Sequence, residues 1–334
     1  MQNKQRLKAG LILSVALPAM ALLMPAASYA QEQVVAMTAT NKRVSAEAYA
    51  GFGPMVGDVT YQIGGHIVVD GRSDNVHFPV SELKWPVNVI MVSVGGSLKL
   101  DNRIEVNGQL SKNLTTGADN MQDSDWSDLM HPDRKTVYSE SDNEFNGWTA
   151  DLGARYWFVS LPVRDLRGVT VALAVGGGLL YQKYDWEASN ANQLSVDPNF
   201  PSEFIPGVVG TYQNTLTMPY VDVAGKLTFQ RFAFSGALGF APYATVSGED
   251  DHKQRHKLNT IDASGSALKL SLQGRYDFKA RFFVLAQLDA LSFDMDGTQD
   301  QSYYAGPQRG ETASIDAKVK STQTMLTLGA GCRF

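Results

Sequence analysis

Two stretches of this chain concentrate groups that exchange protons. Met121-Gln122-Asp123-Ser124-Asp125-Trp126-Ser127-Asp128 sets three carboxylates and a tryptophan within six residues, Asp123 to Asp128. Gly248-Glu249-Asp250-Asp251-His252 sets a histidine two places after a carboxylate. Residues two apart on an extended chain point the same way, so Asp123 can act with Asp125 and Asp250 with His252. A histidine oriented by a carboxylate can take a proton from water. Crowded carboxylates push their pKa values apart, which leaves one of them available as an acid. Face to face, the two stretches would suit hydrolysis. Apart, the first is a solvated acidic loop or a cation loop. EF-hand spacing fails there: Asp128 follows Ser127 where a glycine is needed, and no glutamate closes the loop at its twelfth position.

Other chemistry is sparse. Asp294-Met295-Asp296-Gly297-Thr298-Gln299-Asp300 imitates a calcium loop and reads better as a turn. His66, His77 and His256 stand alone. No HExxH, GxSxG or phosphate-cradling glycine loop is present, and no metal site is expected.

The first thirty residues address the compartment. Lys4, Arg6 and Lys8 precede an apolar run from about Leu11 to Met24, and Ser28-Tyr29-Ala30 supplies small residues for a signal peptidase. Residues 1–30 are therefore expected to be a signal peptide, with 31–334 as the mature domain. The removed segment is basic, so the remainder is more acidic than the net −5 of the whole chain. That balance argues against nucleic acid and favours cationic partners. Cys332 is the sole cysteine, so no internal disulfide can hold an exported fold together.

Positioning must come from strands. Period-two alternation recurs: Leu268, Leu270, Leu272, Tyr276 and Phe278 alternate with Lys269, Ser271, Gln273, Arg275 and Asp277, while Trp148, Ala150, Leu152, Ala154, Tyr156 and Phe158 alternate with Thr149, Asp151, Gly153 and Arg155. Apolar-out, polar-in strands describe an outer-membrane barrel. Ten antiparallel transmembrane strands are predicted near 46–62, 80–98, 103–116, 144–161, 168–187, 212–229, 232–248, 260–278, 281–296 and 315–334. Closure leaves no unpaired backbone in lipid. Short turns alternate with long outer loops near 63–79, 117–143, 188–211, 249–259 and 297–314. The terminal Phe334, on an apolar-alternating strand, looks like the signal that barrel-assembly machinery reads. In a ring of ten, the loop after the third strand lies nearly opposite the loop after the seventh. Asp123 and Asp125 are thus expected to face Asp250 and His252 across the outer mouth.

With these residues in place the chain resembles the omptins, outer-membrane endoproteases of Gram-negative bacteria built on a ten-stranded barrel. Asn120 to Asp128 resembles the family's Asp-x-Asp-Trp motif; His131-Pro132-Asp133, Asn143-Glu144-Phe145, Gly147-Trp148 and Met218-Pro219-Tyr220 follow in the family's order. Asp250-Asp251-His252 matches its Asp-x-His motif. The resemblance covers essentially the whole mature chain. It implies His252 as general base, Asp250 as its partner, Asp123 and Asp125 holding the water or stabilising the imidazolium, and no covalent intermediate.

The resemblance also implies substrates: polypeptides cut at Arg or Lys, read by acids in the cleft. One such acid falls at Asp58; where the second falls this chain has Gly248, with Glu249 adjacent. It further implies a requirement for lipopolysaccharide, bound on the outer wall among outer-membrane lipids. Lys183 falls at one of those basic positions and Thr215 at another. Three rival functions remain on the same fold. A silent barrel acting as adhesin or invasin would not need the four residues. A lipid-modifying enzyme would want its nucleophile on the lipid-facing wall. A small porin would need an open bore, which ten strands largely fill with side chains.

Overall fold

A computed structural model describes residues 44–334, apart from 70, 102, 129, 164–167, 198–200 and 280. The expected signal segment, residues 1–30, lies outside the described residues. Among the described residues twelve strands form one antiparallel sheet: β1 Val44–Val69, β2 Arg72–Pro86, β3 Val89–Leu100, β4 Ile104–Asn113, β5 Gly117–Asp125, β6 Val137–Pro162, β7 Val169–Ser195, β8 Glu203–Phe229, β9 Phe232–His252, β10 Lys257–Asp277, β11 Phe282–Tyr303 and β12 Thr312–Arg333. β12 pairs back onto β1 from Glu47↔Arg333 to Val69↔Ala313, which closes the sheet into a barrel.

Twelve segments make ten staves. The lower half of β1 pairs with β3 and its upper half with β2; the lower half of β6 pairs with β4 and its upper half with β5. β2 and β3 are one stave broken at 87–88, and β4 and β5 are one broken at 114–116. Ladder bonds lost at the breaks are replaced by asparagine side chains. Gly57 N donates to Asn88 Oδ1 at 3.0 Å, and Gly147 N donates to Asn113 Oδ1 at 2.8 Å. The expected ten-stranded barrel is present, with two of its strands interrupted.

Alternation explains the lower half. On β8, Val221 and Val223 are exposed at 63% and 43%, while Asp222 between them is 6% exposed. Phe52, Leu152, Phe240, Leu268 and Leu328 continue the outward apolar belt. Inside, charges meet in pairs. Arg155 donates to Asp222 at 2.7 and 3.0 Å, Lys269 pairs with Asp151, and Arg275 lies between Glu47 and Asp277. Charges enclosed this way need such partners. Side chains thus occupy much of the bore, around a polar cavity lined by Glu47, Asp151, Arg155, Lys269 and Arg275.

The upper half departs from expectation. Segments read as long outer loops are largely strand. A membrane crossing needs about 9–11 residues per strand, and β7 runs to 27. The sheet continues well past the belt. There the alternation reverses its sense: apolar residues such as Met295, Ile315, Ala317 and Val319 turn inward and polar ones such as Asp294, Asp296, Asp316 and Lys318 turn outward, while the backbone stays paired. The 117–143 loop contains β5 and the start of β6; the 297–314 loop contains the end of β11, so Asp294 and Asp296 sit on a strand, ion-paired with Lys318 at 3.3 and 2.9 Å, and not in a turn.

Between the polar bore and the mouth lies an aromatic layer. Tyr61, Trp85, Phe145, Tyr184, Trp186 and Tyr212 are all buried. Trp186 is its hub: its ring centroid lies 5.4 Å from Tyr212, 5.5 Å from Phe145, 5.7 Å from Tyr184 and 6.0 Å from Trp85, and its Nε1 donates to Pro86 O at 2.9 Å. Trp186→Ala should cost about 3–5 kcal/mol, the usual loss for a buried aromatic truncation. A urea titration of the refolded barrel in detergent checks this, and an unchanged midpoint would remove the layer from the stability of the mouth.

Candidate active site

The upper end of β9 carries the acid–histidine pair. Asp250 stands between Tyr212 on β8 and Asn259 on β10 in the ladder, so its side chain shares their inward face. It is 2% exposed. Its Oδ2 accepts from Asn259 Nδ2 at 2.9 Å and meets His252 Nε2 at 2.8 Å. Burial alone would raise the Asp250 pKa. The His252 charge and hydrogen bond, with the Asn259 amide, reverse this and hold the carboxyl below its ordinary value. Asp250 is therefore an ionised orienter for the ring.

β5 carries the carboxylate pair. Its short ladder lies between β2 and β6, with Asp123 opposite Leu83 and Ser139, and Asp125 opposite Ser81 and Val137. Met121 and Leu83, both buried in the core, fix the face that Asp123 shares. Asp123 is partly exposed as a residue, but its Oδ1 is enclosed and has no hydrogen-bond partner in the protein. Burial first, and then the Asp125 charge, push its pKa up to about 8, against the pull of Arg255. Asp250 adds to the rise, so the two acid groups share one electrostatic space.

Two cations complete the cleft, and sequence reasoning singled out neither. Arg255 sits in the 3-10 turn Lys253–Arg255 that follows β9, and its Nη2 reaches Asp125 Oδ2 on β5 at 3.9 Å. This contact links the β9 side of the cleft to the β5 side. Lys257 lies opposite His252 in the β9–β10 ladder and is 7% exposed. Burial and then Arg255 lower its pKa, while Asp250, Asp125 and Asp123 oppose that shift. Asn259, the amide on Asp250, was also missed. The register of β10 against β9 reveals Lys257 and Asn259, and the turn after β9 carries Arg255 to Asp125 on β5; neither is written in residue spacing.

The remaining expected site residues face elsewhere. Asp58 lies between the inward Gly57 and the buried Val59, points to the outer wall, accepts from Thr60 Oγ1 at 3.1 Å and ion-pairs with Lys84 at 3.3 Å. Glu249 precedes the inward Asp250 and so faces outward beside Gln213 and Thr260. Neither reaches the cleft, and their assignment to substrate binding is corrected on that geometry: one step along a strand reverses the side chain. Lys183 is on the outer wall, opposite Trp148 and Thr215. Trp148 stacks near Tyr181 at 5.1 Å, an aromatic pair of the kind that marks the edge of a lipid zone. Asp128, the third acid of the opening stretch, takes no part in the cleft: its Oδ1 accepts from Met130 N at 2.9 Å and caps a turn.

Comparison with known proteins accords with this arrangement. The chain is 27% identical to the outer membrane protease OmpP of Escherichia coli (strain K12) over 193 residues, 53% of this chain and 56% of that protein. It is 21% identical to the plasminogen activator of Yersinia pestis over 193 residues, 56% of this chain and 59% of that protein. The chain thus matches under two thirds of the length of either relative. The crystal structure of the outer membrane protease OmpT from Escherichia coli superposes with a TM-score of 0.73 at 16% identity, covering 90% of this chain and 99% of that one, which shows the shared fold. With these relatives and this barrel together, the chain is an outer-membrane protein of the Gram-negative type. The family model described as Omptin family matches residues 68–332, and the chain belongs to the omptin family.

Proposed function

We propose that this barrel is an endopeptidase that opens peptide bonds with an activated water at its outer mouth. One observation carries the reading: an ionised, buried Asp250 holds His252 Nε2 at 2.8 Å, in the same electrostatic space as Asp123. With Nε2 engaged, Nδ1 is the ring nitrogen left to take a proton from water. The resulting hydroxide adds to the carbonyl carbon, and the imidazolium is stabilised by Asp250. Asp125 orients the water. Asp123, which keeps its proton near neutral pH, supplies the acid that the carbonyl oxygen needs as it gains charge. Collapse breaks the C–N bond, and His252 returns its proton to the leaving amine. No covalent intermediate forms.

Asp58 and Glu249 point away from the cleft, so the expected preference for Arg or Lys does not rest on them. Dependence on lipopolysaccharide keeps Lys183, which lies on the outer wall beside the Trp148–Tyr181 pair. Polypeptides approaching from the exterior are the substrates, and the adhesin reading is the outcome if none is cut.

Refolded barrel with lipopolysaccharide should cleave unstructured polypeptides, and His252→Ala and Asp123→Ala should each lower kcat/KM by about 10²–10⁴-fold, the usual worth of a positioned acid or base. Wild-type rates in both variants would place water activation elsewhere. The raised Asp123 pKa has a stability consequence of definite sign. The folded state binds this proton more tightly than the unfolded chain, so wild-type stability falls as pH rises from about 4 to about 8. Asp123→Asn should match wild type below that window in a urea titration and exceed it above; a gap that does not grow with pH contradicts the shift. Lys183→Ala should weaken activation by lipopolysaccharide several-fold while leaving the barrel folded, and equal activity with and without the lipid ends that role.

A further inference from the structure

The bore below the aromatic layer holds a cavity of about 140 Å³, at the end of the barrel away from the acid–histidine pair. Space opens there because β8 and β9 turn small residues toward it, among them Ala224, Ala233 and Ala237. Glu47, Asp277 and Arg333 stand at that end with 24%, 29% and 41% of their side chains exposed, so solvent reaches it. This is the end with the short turns, which in outer-membrane barrels faces the periplasm.

Nearly every charge around the cavity is matched by another side chain. Lys99 meets Glu105 at 3.0 Å, Arg155 meets Asp222 at 2.7 Å, Lys269 pairs with Asp151, and Arg275 is shared by Glu47 and Asp277. Two charges on the lining are left over. Among the described residues, Lys226 on β8 has neither an ion pair nor a hydrogen-bonding partner for its ammonium. Asp289 on β11 accepts from Gln287 Nε2 at 2.7 Å and has no cation within ion-pair distance. The ladders show why these two do not meet. Lys226 lies opposite Ser235, Ser235 opposite Gln273, and Gln273 opposite Gln287, which sets Asp289 three strands round the wall and two residues along. Three strand spacings are about 14 Å.

A charge enclosed by a barrel wall in lipid is costly without a counter-charge. A guest of one sign would match Lys226 or Asp289 and leave the other as it was. A guest of both signs matches both and brings no net charge. We propose that this cavity is a binding site for a small zwitterion, with its carboxylate on Lys226 and its ammonium on Asp289. Ser235, beside Lys226 on the same lining, offers the carboxylate a hydroxyl donor, and the Gln287 amide fixes Asp289. The volume admits a molecule of amino-acid size. The aromatic layer around Trp186 separates this site from the cleft, so the proposal is independent of the endopeptidase reading.

The test is isothermal titration calorimetry on the refolded barrel in an uncharged maltoside detergent. The probes are glycine, β-alanine, γ-aminobutyrate and ε-aminocaproate, a series of increasing charge separation, with acetate and methylammonium as single-charge controls. One member of the series should bind more tightly than either control by about tenfold or more, and its length reports the span from Lys226 to Asp289. Lys226→Met and Asp289→Asn should each weaken that member by about tenfold or more, and heat-modified gel mobility confirms that each barrel is folded. No binding by any member, acetate or methylammonium binding as tightly as the best zwitterion, or undiminished affinity in either variant overturns the proposal.

Discussion

Everything in this molecule depends on one obligation: a backbone in hydrocarbon must satisfy every N–H and C=O within the protein, because no water is there to do so. The closed ladder from β1 round to β12 meets it. Closure then dictates the side chains. Each strand has one face toward lipid and one toward the bore, so apolar and polar residues must alternate, and Asp222 between Val221 and Val223 shows the consequence. Even the two interrupted staves respect the rule, since Asn88 and Asn113 supply the bonds that the broken ladder cannot.

The same ring turns a membrane anchor into a rigid frame for chemistry. Its strands run beyond the lipid, and the acid groups stand on those extensions and not on mobile loops. Beneath them the aromatic layer around Trp186 fills the bore. Carboxylates set on packed strands cannot drift apart to relieve repulsion. Asp123 therefore holds a proton that a solvated aspartate would lose, while Asp250, held by His252 and by the Asn259 amide, stays ionised. One cleft thus offers an acid and a base at the same pH, and the difference comes from burial and hydrogen bonds, not from residue type.

Charge in the cleft also departs from what the acidic composition suggests. A net −5 says nothing about which carboxylates face inward. On β9 and β10 the outward positions hold Glu249, Asp251 and Asp262, and the inward ones hold Lys257 and Gly248 along with the acid–histidine pair. The acidity lies largely on the wall, and the cleft is close to balance.

Residue spacing by itself determined a good deal. Alternation in the lipid zone specified a closed antiparallel barrel, and the i, i+2 spacing put Asp123 with Asp125 and Asp250 with His252 before any contact was known. Family motifs in order along the chain pointed to the omptins. The extent of the strands was not legible, because above the lipid the alternation reverses, apolar residues turning inward and polar ones outward, so those segments read as polar loops. The faces of Asp58 and Glu249 depended on a single step of register, and such a step flips a side chain from bore to wall. Arg255 beside Asp125, Lys257 beside His252 and Asn259 on Asp250 join residues whose proximity exists only once the ring has closed and β5, β9 and β10 have fixed their registers. Local spacing carries the chemistry of a strand; the neighbours that tune it are set by long-range pairing, which the tertiary structure alone decides.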